Sequence, residues 1–427
     1  MLENNNFNTN HSENKESASK NYLMVVLGVL FLIVIPFILW IISGGWHRDE
    51  GIIIDNEANN SEATTQEQIE FVAKDGFSPI SGIQCENWNR RPFAIMYSGD
   101  MDARRNFRSL SLADFVLEMD HRATHSQPRL MGVYQCATPT AMGPMRSGRV
   151  DHINVAASLD AIYVPWGGSS VSKNVLKKHW VEHIDCNGEV APSGSGTPAC
   201  RKDAGLLTNP PLRSAGPAFS NLEELIKIAK ASGYRLTTNF QGFPHQADLP
   251  LEKRPDYGLV KVKQVYPYRV FYKYDKNSNS YKRFLLKKEG APLKPDIDQE
   301  TKEQYAPKNI ITIITKKEAW QTEIDYKGQG LKDPWDGIDA EHRKNDSGWY
   351  PNFQLGDPWF DRKFEGPARF FINGQDITGS WKKKKGVNEP FQFYDSRGEL
   401  IKFVPGQIWL HVLGHDKGVS YDDEPEY

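Results

Sequence analysis

The chain has 427 residues, with 54 acidic and 52 basic side chains. This near balance creates no global field that would attract a nucleic acid, so we expect no nucleic-acid partner. The 11 tryptophans and 17 tyrosines are typical of packed domains and exclude a largely disordered chain. The length is sufficient for two domains of ordinary size and a tail.

A long apolar segment near the amino terminus predicts a membrane anchor. Tyr22–Ile42 reads YLMVVLGVLFLIVIPFILWII, which is 21 residues without a charged side chain. A helix of about this length spans the ~30 Å hydrocarbon core of a bilayer. A polar stretch precedes the segment and the first cysteine is Cys85, a pattern that fits neither a cleaved signal peptide nor a lipid-accepting cysteine. Lysines before the segment favour a single-pass signal anchor with a cytoplasmic amino terminus and extracytoplasmic domains.

Four cysteines can form two disulfide bonds in an extracytoplasmic domain. Cys186 and Cys200 flank a loop rich in glycine, serine and proline, whose closure would contribute roughly 3 kcal/mol. We therefore predict a Cys186–Cys200 bond and, by elimination, a Cys85–Cys136 bond. The alternative is four buried free thiols.

Apolar patterns predict the first domain's elements in chain order. RPFAIMYS, RLMGVYQC and DAIYVPW predict buried strands. SLADFVLEMD, SGRVDHINVAASL, VSKNVLKKHWVEHI and NLEELIKIAKASGY predict helices. The alternation of strands and helices predicts an α/β layer.

The second half of the chain has a strand pattern. It predicts hairpins at DKNSNS, at Asn373-Gly374 and at DSRG, and a long loop over residues 325–365. The predicted fold class is α+β, with one transmembrane helix, a mixed α/β domain and a β-rich, mostly antiparallel domain. The predicted segments are a disordered cytoplasmic tail (1–21), the anchor (22–42), a polar stalk (43–85), the α/β domain (86–250), the β-rich domain (251–415) and a tail (416–427).

Several of these fragments recur in one known order. RPFAIM, LADFVLE, RLMGVYQ, GPMRSGR, DAIYV and GGS in the first half, with FFINGQDITGSWKK and YDSRGELIKFVPGQIWLHVL in the second, resemble the YerB-like lipoprotein family, domain of unknown function 3048. The resemblance covers roughly residues 88–413. It implies a cell-surface protein with an α/β domain followed by a β-rich domain, and it implies no reaction. Members are commonly lipid-anchored, so the predicted transmembrane anchor departs from the family pattern.

MGPMRSGRVDH carries two arginines on a turn that opens a predicted helix. Ser147 is the predicted N-cap, and Arg146 and Arg149 flank it. A helix amino terminus presents unpaired amides and partial positive charge, and guanidinium groups match carboxylates and phosphates. The turn therefore predicts a pocket for a wall-polymer phosphate, a carboxylate or a peptide terminus.

A second strand-to-helix turn, GGSS, contains Gly167, Gly168 and Ser169. Glycines there permit close approach of the backbone to a ligand. In an α/β layer two such turns at one sheet edge face the same crevice. We expect Arg104 and Arg129 to join this ligand-binding site.

An alternative arrangement needs no ligand. Arg146 and Arg149 would pair with Asp114 and Glu118, which are four residues apart on one face of the predicted helix SLADFVLEMD. The same two acids are candidates for a catalytic pair, although no positioned nucleophile accompanies them.

HWVEH matches an inverted zinc-peptidase pattern, with His179 and His183 as ligands and Glu182 as base. A third ligand is not evident, and the alternative is a helix end whose histidines cover Trp180. We therefore predict no metal and no cofactor.

These patterns predict a membrane-anchored extracytoplasmic protein that binds an anionic or peptidic ligand of the cell envelope, rather than an enzyme. The membrane contact is through residues 22–42, and the protein partner is left open. The rivals are an envelope hydrolase, acting through the carboxylate pair or zinc, and an assembly factor that binds another membrane protein.

Overall fold

A computed structural model describes residues 74–121, 127–208, 216–319, 337–346, 351–353, 355, 364–384 and 386–424. The predicted tail 1–21, the predicted anchor Tyr22–Ile42 and most of the predicted stalk lie outside these ranges. Within them, no helix is both long and apolar enough to cross a membrane.

The described chain is mostly sheet. Its strands are β1 (Phe93–Tyr97), β2 (Phe115–Asp120), β3 (Pro128–Tyr134), β4 (Ile162–Val164), β5 (Cys200–Lys202), β6 (Ala218–Ser220), β7 (Leu259–Lys263), β8 (Arg269–Asp275), β9 (Ser280–Leu286), β10 (Lys294–Pro295), β11 (Asn309–Thr315), β12 (Glu318–Ala319), β13 (Pro351–Asn352), β14 (Phe364–Ile372), β15 (Gln375–Lys383), β16 (Gln392–Asp395), β17 (Ile408–Gly414) and β18 (Gly418–Asp422). The α-helices of the described ranges are α1 (Met101–Arg104), α2 (Val150–Ser158), α3 (Ser170–Lys177), α4 (Leu222–Ala231) and α5 (Ala340–Asp346).

Nine strands form the main sheet, in the order β16-β15-β14-β11-β17-β2-β3-β1-β4. Four come from the first half of the chain and five from the second. The two groups meet where β2 pairs in parallel with β17, with Phe115 opposite Ile408 and Leu117 opposite Leu410. A second, antiparallel sheet has the order β10-β9-β8-β7-β18.

The predicted fold class was wrong. We expected a transmembrane helix, a mixed α/β domain and a separate β-rich domain. The described chain instead has few, short helices, and its main sheet contains strands from both halves. The hydrophobic pattern of a strand shows which of its faces are buried but not which strand pairs with it. The pairing of β2 with β17 therefore could not be predicted from the local sequence.

The segment predicted as the helix SLADFVLEMD contains β2. Phe115, Leu117 and Met119 pack in one hydrophobic cluster, whereas Val116 packs in the cluster on the opposite face. A central strand is apolar on both faces, so its residues also satisfy helical spacing. Because this segment is buried on both faces in the centre of the sheet, it forms a strand and not a helix.

Several other elements lie where the pattern predicted them, although α5 and β13 lie in residues 325–365, which were predicted to be a long loop. β1, β3 and β4 are the three buried strands, and α2 and α4 are helices. The hairpin between β14 and β15 turns at Asn373 and Gly374, whose φ angles are 56° and 72°. α3 is shorter than predicted, and residues 416–427, expected to be a tail, contain β18, which pairs with β7.

The core positions two neighbouring helices against the first half of the main sheet. All nine residues of α2 are buried, and α2 packs on both α3 and β4. The amino ends of α2 and α3 carry the two turns singled out in the sequence, and their carboxyl ends lead away from those turns.

Candidate functional site

The two predicted turns lie side by side. The amide of Gly148 donates to the carbonyl oxygen of Gly167 at 2.8 Å, and the amide of Trp166 donates to the carbonyl oxygen of Arg146 at 3.1 Å. The segment before α2 therefore runs parallel to the segment before α3. The structure brings the MGPMRSGR and GGSS turns together, and the ligand-binding role expected of them stays a prediction.

Two arginines hold the turn before α2: Arg149 from the turn itself and Arg129 from β3. Arg149, not Ser147, is the N-cap of α2, and no side-chain hydrogen bond caps this helix. The Arg149 guanidinium donates to the carbonyl oxygen of Gly148 at 2.6 Å. Arg129 donates to the carbonyl oxygen of Ser147 at 2.6 Å. Ser147 therefore lies one step before the cap, in backbone that pairs with the neighbouring turn.

The turn before α3 is capped by Ser169, which the sequence analysis considered only as a ligand-binding residue. The Ser169 hydroxyl oxygen accepts from the amide of Ser172 at 3.3 Å. The Ser172 hydroxyl lies 3.2 Å from the carbonyl oxygen of Gly148, which links the two turns again. Gly167 has a φ of 64°, and its amide donates to Asp185 at 2.8 Å. Glycine suits this left-handed conformation because it has no Cβ.

Positive charge is concentrated beneath the turns. Arg129 and Arg149 are 5% and 8% exposed, whereas Arg146 and Ser147 are partly exposed. Burial and the neighbouring charge of Arg129 lower the pKa of the fully buried His152 to about 3. The histidine is therefore neutral near pH 7, and the two buried guanidinium groups supply the charge.

Arg104 does not join this site. Its guanidinium group contacts Glu118 at 2.5 Å and the carbonyl oxygen of Gly99 at 3.0 Å. Glu118 also accepts from Arg283 at 2.9 Å, and all three charged side chains are fully buried. Burial alone would raise the pKa of Glu118, but the charges of Arg104 and Arg283 outweigh burial and hold the pKa well below its usual range.

The alternative pairing of the turn arginines with Asp114 and Glu118 is not what the described contacts show. Asp114 accepts from the hydroxyl of Ser81 at 2.5 Å and from the amide of Gln135 at 2.7 Å. Glu118 takes its arginines from α1 and β9. Both carboxylates are buried and occupied by these contacts, and their predicted helical placement was wrong.

Comparison with known proteins gives a consistent picture. The chain matches "Protein of unknown function (DUF3048) N-terminal domain" over residues 80–203 and the corresponding C-terminal domain over residues 338–410. "Putative lipoprotein YerB" of Bacillus subtilis (strain 168) is 26% identical over 356 residues, which cover 82% of this chain and 89% of that protein. This chain belongs to the YerB-like family. A crystal structure of Bacillus subtilis YerB has the same fold, with a TM-score of 0.58 and 20% identity, over 81% of this chain and 99% of that one.

The YerB-like match over residues 80–203 contains both paired turns. It also contains the HWVEH pattern, which the structure does not place on one helix. α3 ends at Lys177, His179 has a φ of 56°, and the buried His183 pairs in an extended bridge with Tyr163. In the described ranges, no three potential metal-ligating side chains cluster. The two histidines therefore do not share the helical face that the zinc alternative requires.

Both predicted disulfide bonds of this YerB-like chain are confirmed. Cys186 bonds Cys200 with a Cα–Cα distance of 5.2 Å, and Cys85 bonds Cys136 with a distance of 5.7 Å. The first bond closes the loop that follows the paired turns. The second joins the segment before β1 to the end of β3.

Asp185 is an organising residue that the sequence analysis missed. Its carboxylate, fully buried, accepts from the amides of Gly167 at 2.8 Å, Asn187 at 2.9 Å and Glu189 at 2.8 Å. It thus fixes the GGSS turn against the disulfide-closed loop. A single aspartate beside a cysteine has no periodicity, so only its place next to Cys186 could have drawn attention to it.

Proposed function

We propose that this YerB-like protein binds an anionic or peptidic ligand of the cell envelope at the paired turns. The observation that carries the proposal is the direct hydrogen bonding of the two turns. It places the partly exposed Arg146 and Ser147 beside the amino terminus of α3, above the buried Arg129 and Arg149. Helix amino termini and guanidinium groups both favour negatively charged groups.

The ligand class follows from the chemistry of these groups. The buried arginines hold the turn through backbone carbonyl oxygens, so they shape the site and supply its field. Arg146 is partly exposed, and a guanidinium group matches a phosphate or a carboxylate in a bidentate contact. A wall-polymer phosphate and the free carboxyl end of a peptide both present this geometry.

The proposed location is the extracytoplasmic side of the cell envelope, in association with the membrane. Two disulfide bonds favour an oxidising compartment outside the cytoplasm. The Bacillus subtilis relative carries the word lipoprotein in its name, which supports an attachment to the membrane surface.

Calorimetric titration of the purified protein tests this function. The probes are inorganic phosphate, glycerol 3-phosphate, a tripeptide with a free carboxyl end and the same tripeptide with an amidated end. We expect at least one anionic probe to bind and the amidated peptide to bind at least about tenfold more weakly than its acid, because the charge-assisted contact is lost.

Arg146→Ala is the test variant, and Arg397→Ala is the matched control. Arg397 is a surface arginine whose side chain is 73% exposed and pairs with Asp395 and Glu399. Arg146→Ala should weaken binding about tenfold or more, whereas Arg397→Ala should leave it unchanged. Equal binding by both variants, or no binding of any anionic probe, would contradict the proposed function.

A further inference from the structure

A separate cavity of about 570 Å³ lies at the other end of the helix pair. Its wall includes Ser158 at the end of α2, Trp180 shortly after α3, and Asn388 from the loop between β15 and β16. α3 has eight residues and is therefore about 12 Å long, with the paired turns at its amino end and this cavity beyond its carboxyl end. Carboxyl ends of helices carry partial negative charge and do not favour anions.

The ionised groups of the cavity are already matched with one another. Arg235 donates to both carboxylate oxygens of Asp160, at 2.9 and 2.5 Å. Arg91 donates to the carbonyl oxygen of Asp160 at 2.8 Å and forms an ion pair with Glu182. Two guanidinium groups thus face two carboxylates. A charged ligand would have to compete with these pairs, which a neutral ligand would leave intact.

The remaining polar surface consists largely of side-chain amides. Asn239, Gln241 and Asn388 are exposed and line the cavity from two separate segments of the chain. Each side-chain amide both donates and accepts hydrogen bonds. Such groups suit a ligand whose own polar groups also do both, as hydroxyl groups do.

An aromatic side chain completes the wall. Trp180 is partly buried: it packs against the main core cluster and also lines the cavity. His179, which lies between the end of α3 and Trp180, has a left-handed φ of 56°. A partly exposed indole offers a flat apolar surface next to the polar rim.

We propose that this cavity binds a neutral saccharide. A sugar ring has an apolar face of C–H groups, which fits against an indole, and a rim of hydroxyl groups, which exchange hydrogen bonds with amides. The charged side chains of the cavity already form ion pairs, so they disfavour a ligand that carries a net charge. This site is distinct from the paired turns and adds a second ligand class to the proposed function.

Calorimetric titration of the full-length protein with chitotriose, maltotriose and cellotriose tests the proposal. At least one of these neutral trisaccharides should bind saturably. Trp180→Ala should weaken that binding about tenfold, and Asn388→Ala about fivefold. Trp166→Ala and Asn277→Ala are the controls, because Trp166 is a partly buried indole outside the cavity and Asn277 is an exposed turn amide. Both controls should bind as the wild type does.

Arg146→Ala should also leave saccharide binding unchanged, which separates this site from the paired turns. Asn388 lies on an exposed loop, so its variant decides the result if Trp180→Ala does not fold. The proposal is overturned if none of the three trisaccharides binds, or if binding is the same in Asn388→Ala as in the wild type.

Discussion

At the scale of single residues, the buried charges show how differently arginines on one chain are used. Arg104 and Arg283 share Glu118 within the core, where the Trp409 indole also donates to the carboxylate at 3.3 Å. Arg129 and Arg149 instead donate to backbone carbonyl oxygens at the turns. The sequence shows that arginines and acids are present but not which pairs are buried together, because pairing depends on long-range topology.

Replacing Glu118 with glutamine should be strongly destabilising. Glu118→Gln removes the counter-charge that the buried Arg104 and Arg283 share, although Arg283 keeps an ion pair with Asp296. We expect the free energy of unfolding to fall by about 3 kcal/mol or more. Glu300→Gln is the control, because Glu300 forms an ion pair with Arg108 and its side chain is 39% exposed. This variant should lower the free energy of unfolding by less than about 1 kcal/mol. Denaturant titration of the two variants measures the difference. Similar losses of unfolding free energy in both variants would show that the buried ion pairs of Glu118 stabilise the fold no more than an exposed ion pair does.

Buried histidines make the fold sensitive to acid. Burial lowers the pKa of His152 to about 3 and that of His411 to about 4, whereas an unfolded histidine titrates near pH 6.5. Between these values the unfolded chain binds more protons than the folded protein, so the free energy of unfolding falls as the pH falls. Glu118 acts in the same direction, because its pKa is lowered in the folded state and its stabilisation is lost on acidification.

His152→Leu removes one of these titrating groups. Between pH 7 and pH 5 the variant should lose about 2 kcal/mol less unfolding free energy than the wild type, since its unfolded state gains one proton fewer. Urea denaturation at a series of pH values measures this. Parallel pH curves for the two proteins would be inconsistent with a neutral buried imidazole.

At the scale of elements, the hairpin between β14 and β15 connects the two sheets. The amide of Gly374 donates to the Tyr281 hydroxyl at 2.9 Å, and its carbonyl oxygen accepts from Tyr421. Tyr281 belongs to β9 and Tyr421 to β18, both in the five-stranded sheet. Asn373-Gly374 predicted a hairpin turn, but the sequence did not predict the contacts of this turn with Tyr281 and Tyr421.

Gly374→Ala and Gly398→Ala form a matched pair. Both glycines have left-handed φ angles, 72° and 83°. A Cβ at Gly374 would lie 2.5 Å from the ring of Tyr274, whereas a Cβ at Gly398 meets nothing within 4 Å. Gly398→Ala should therefore cost about 1 kcal/mol of backbone strain and Gly374→Ala about 3 kcal/mol. Equal destabilisation in thermal denaturation would argue against the docked turn.

The sequence predicted elements better than it predicted their partners. Apolar runs located β1, β3 and β4, and helical spacing located α2 and α4, because each signal is local. The same logic assigned β2 to a helix, since a strand buried on both faces has no polar side to reveal its period. The adjacency of the two turns is visible only in the structure, because it depends on backbone hydrogen bonds between separate segments.

At the scale of the whole molecule, the main sheet makes the two halves of the described chain interdependent. The parallel seam of β2 with β17 and the contact of Glu118 with Arg283 both cross from one half to the other. Neither half can complete its core without the other. For this reason, the domain boundary that the composition suggests near residue 250 does not divide the strands into two separate sheets.

This interdependence predicts one cooperative unfolding transition for the two halves. Differential scanning calorimetry should give a single peak, with a calorimetric enthalpy that matches the van't Hoff enthalpy. Two resolved peaks would instead support two separately folding domains.

The proposed ligand site is tested most directly by amide hydrogen exchange on the full-length protein. Exchange is compared with and without the anionic probe that binds most tightly in the calorimetric titration. We expect slower exchange in residues 143–149 and 166–172 of the wild type, and no such change in Arg146→Ala. Protection confined to other segments, or equal protection in the variant, would contradict an anion-binding role for the paired turns.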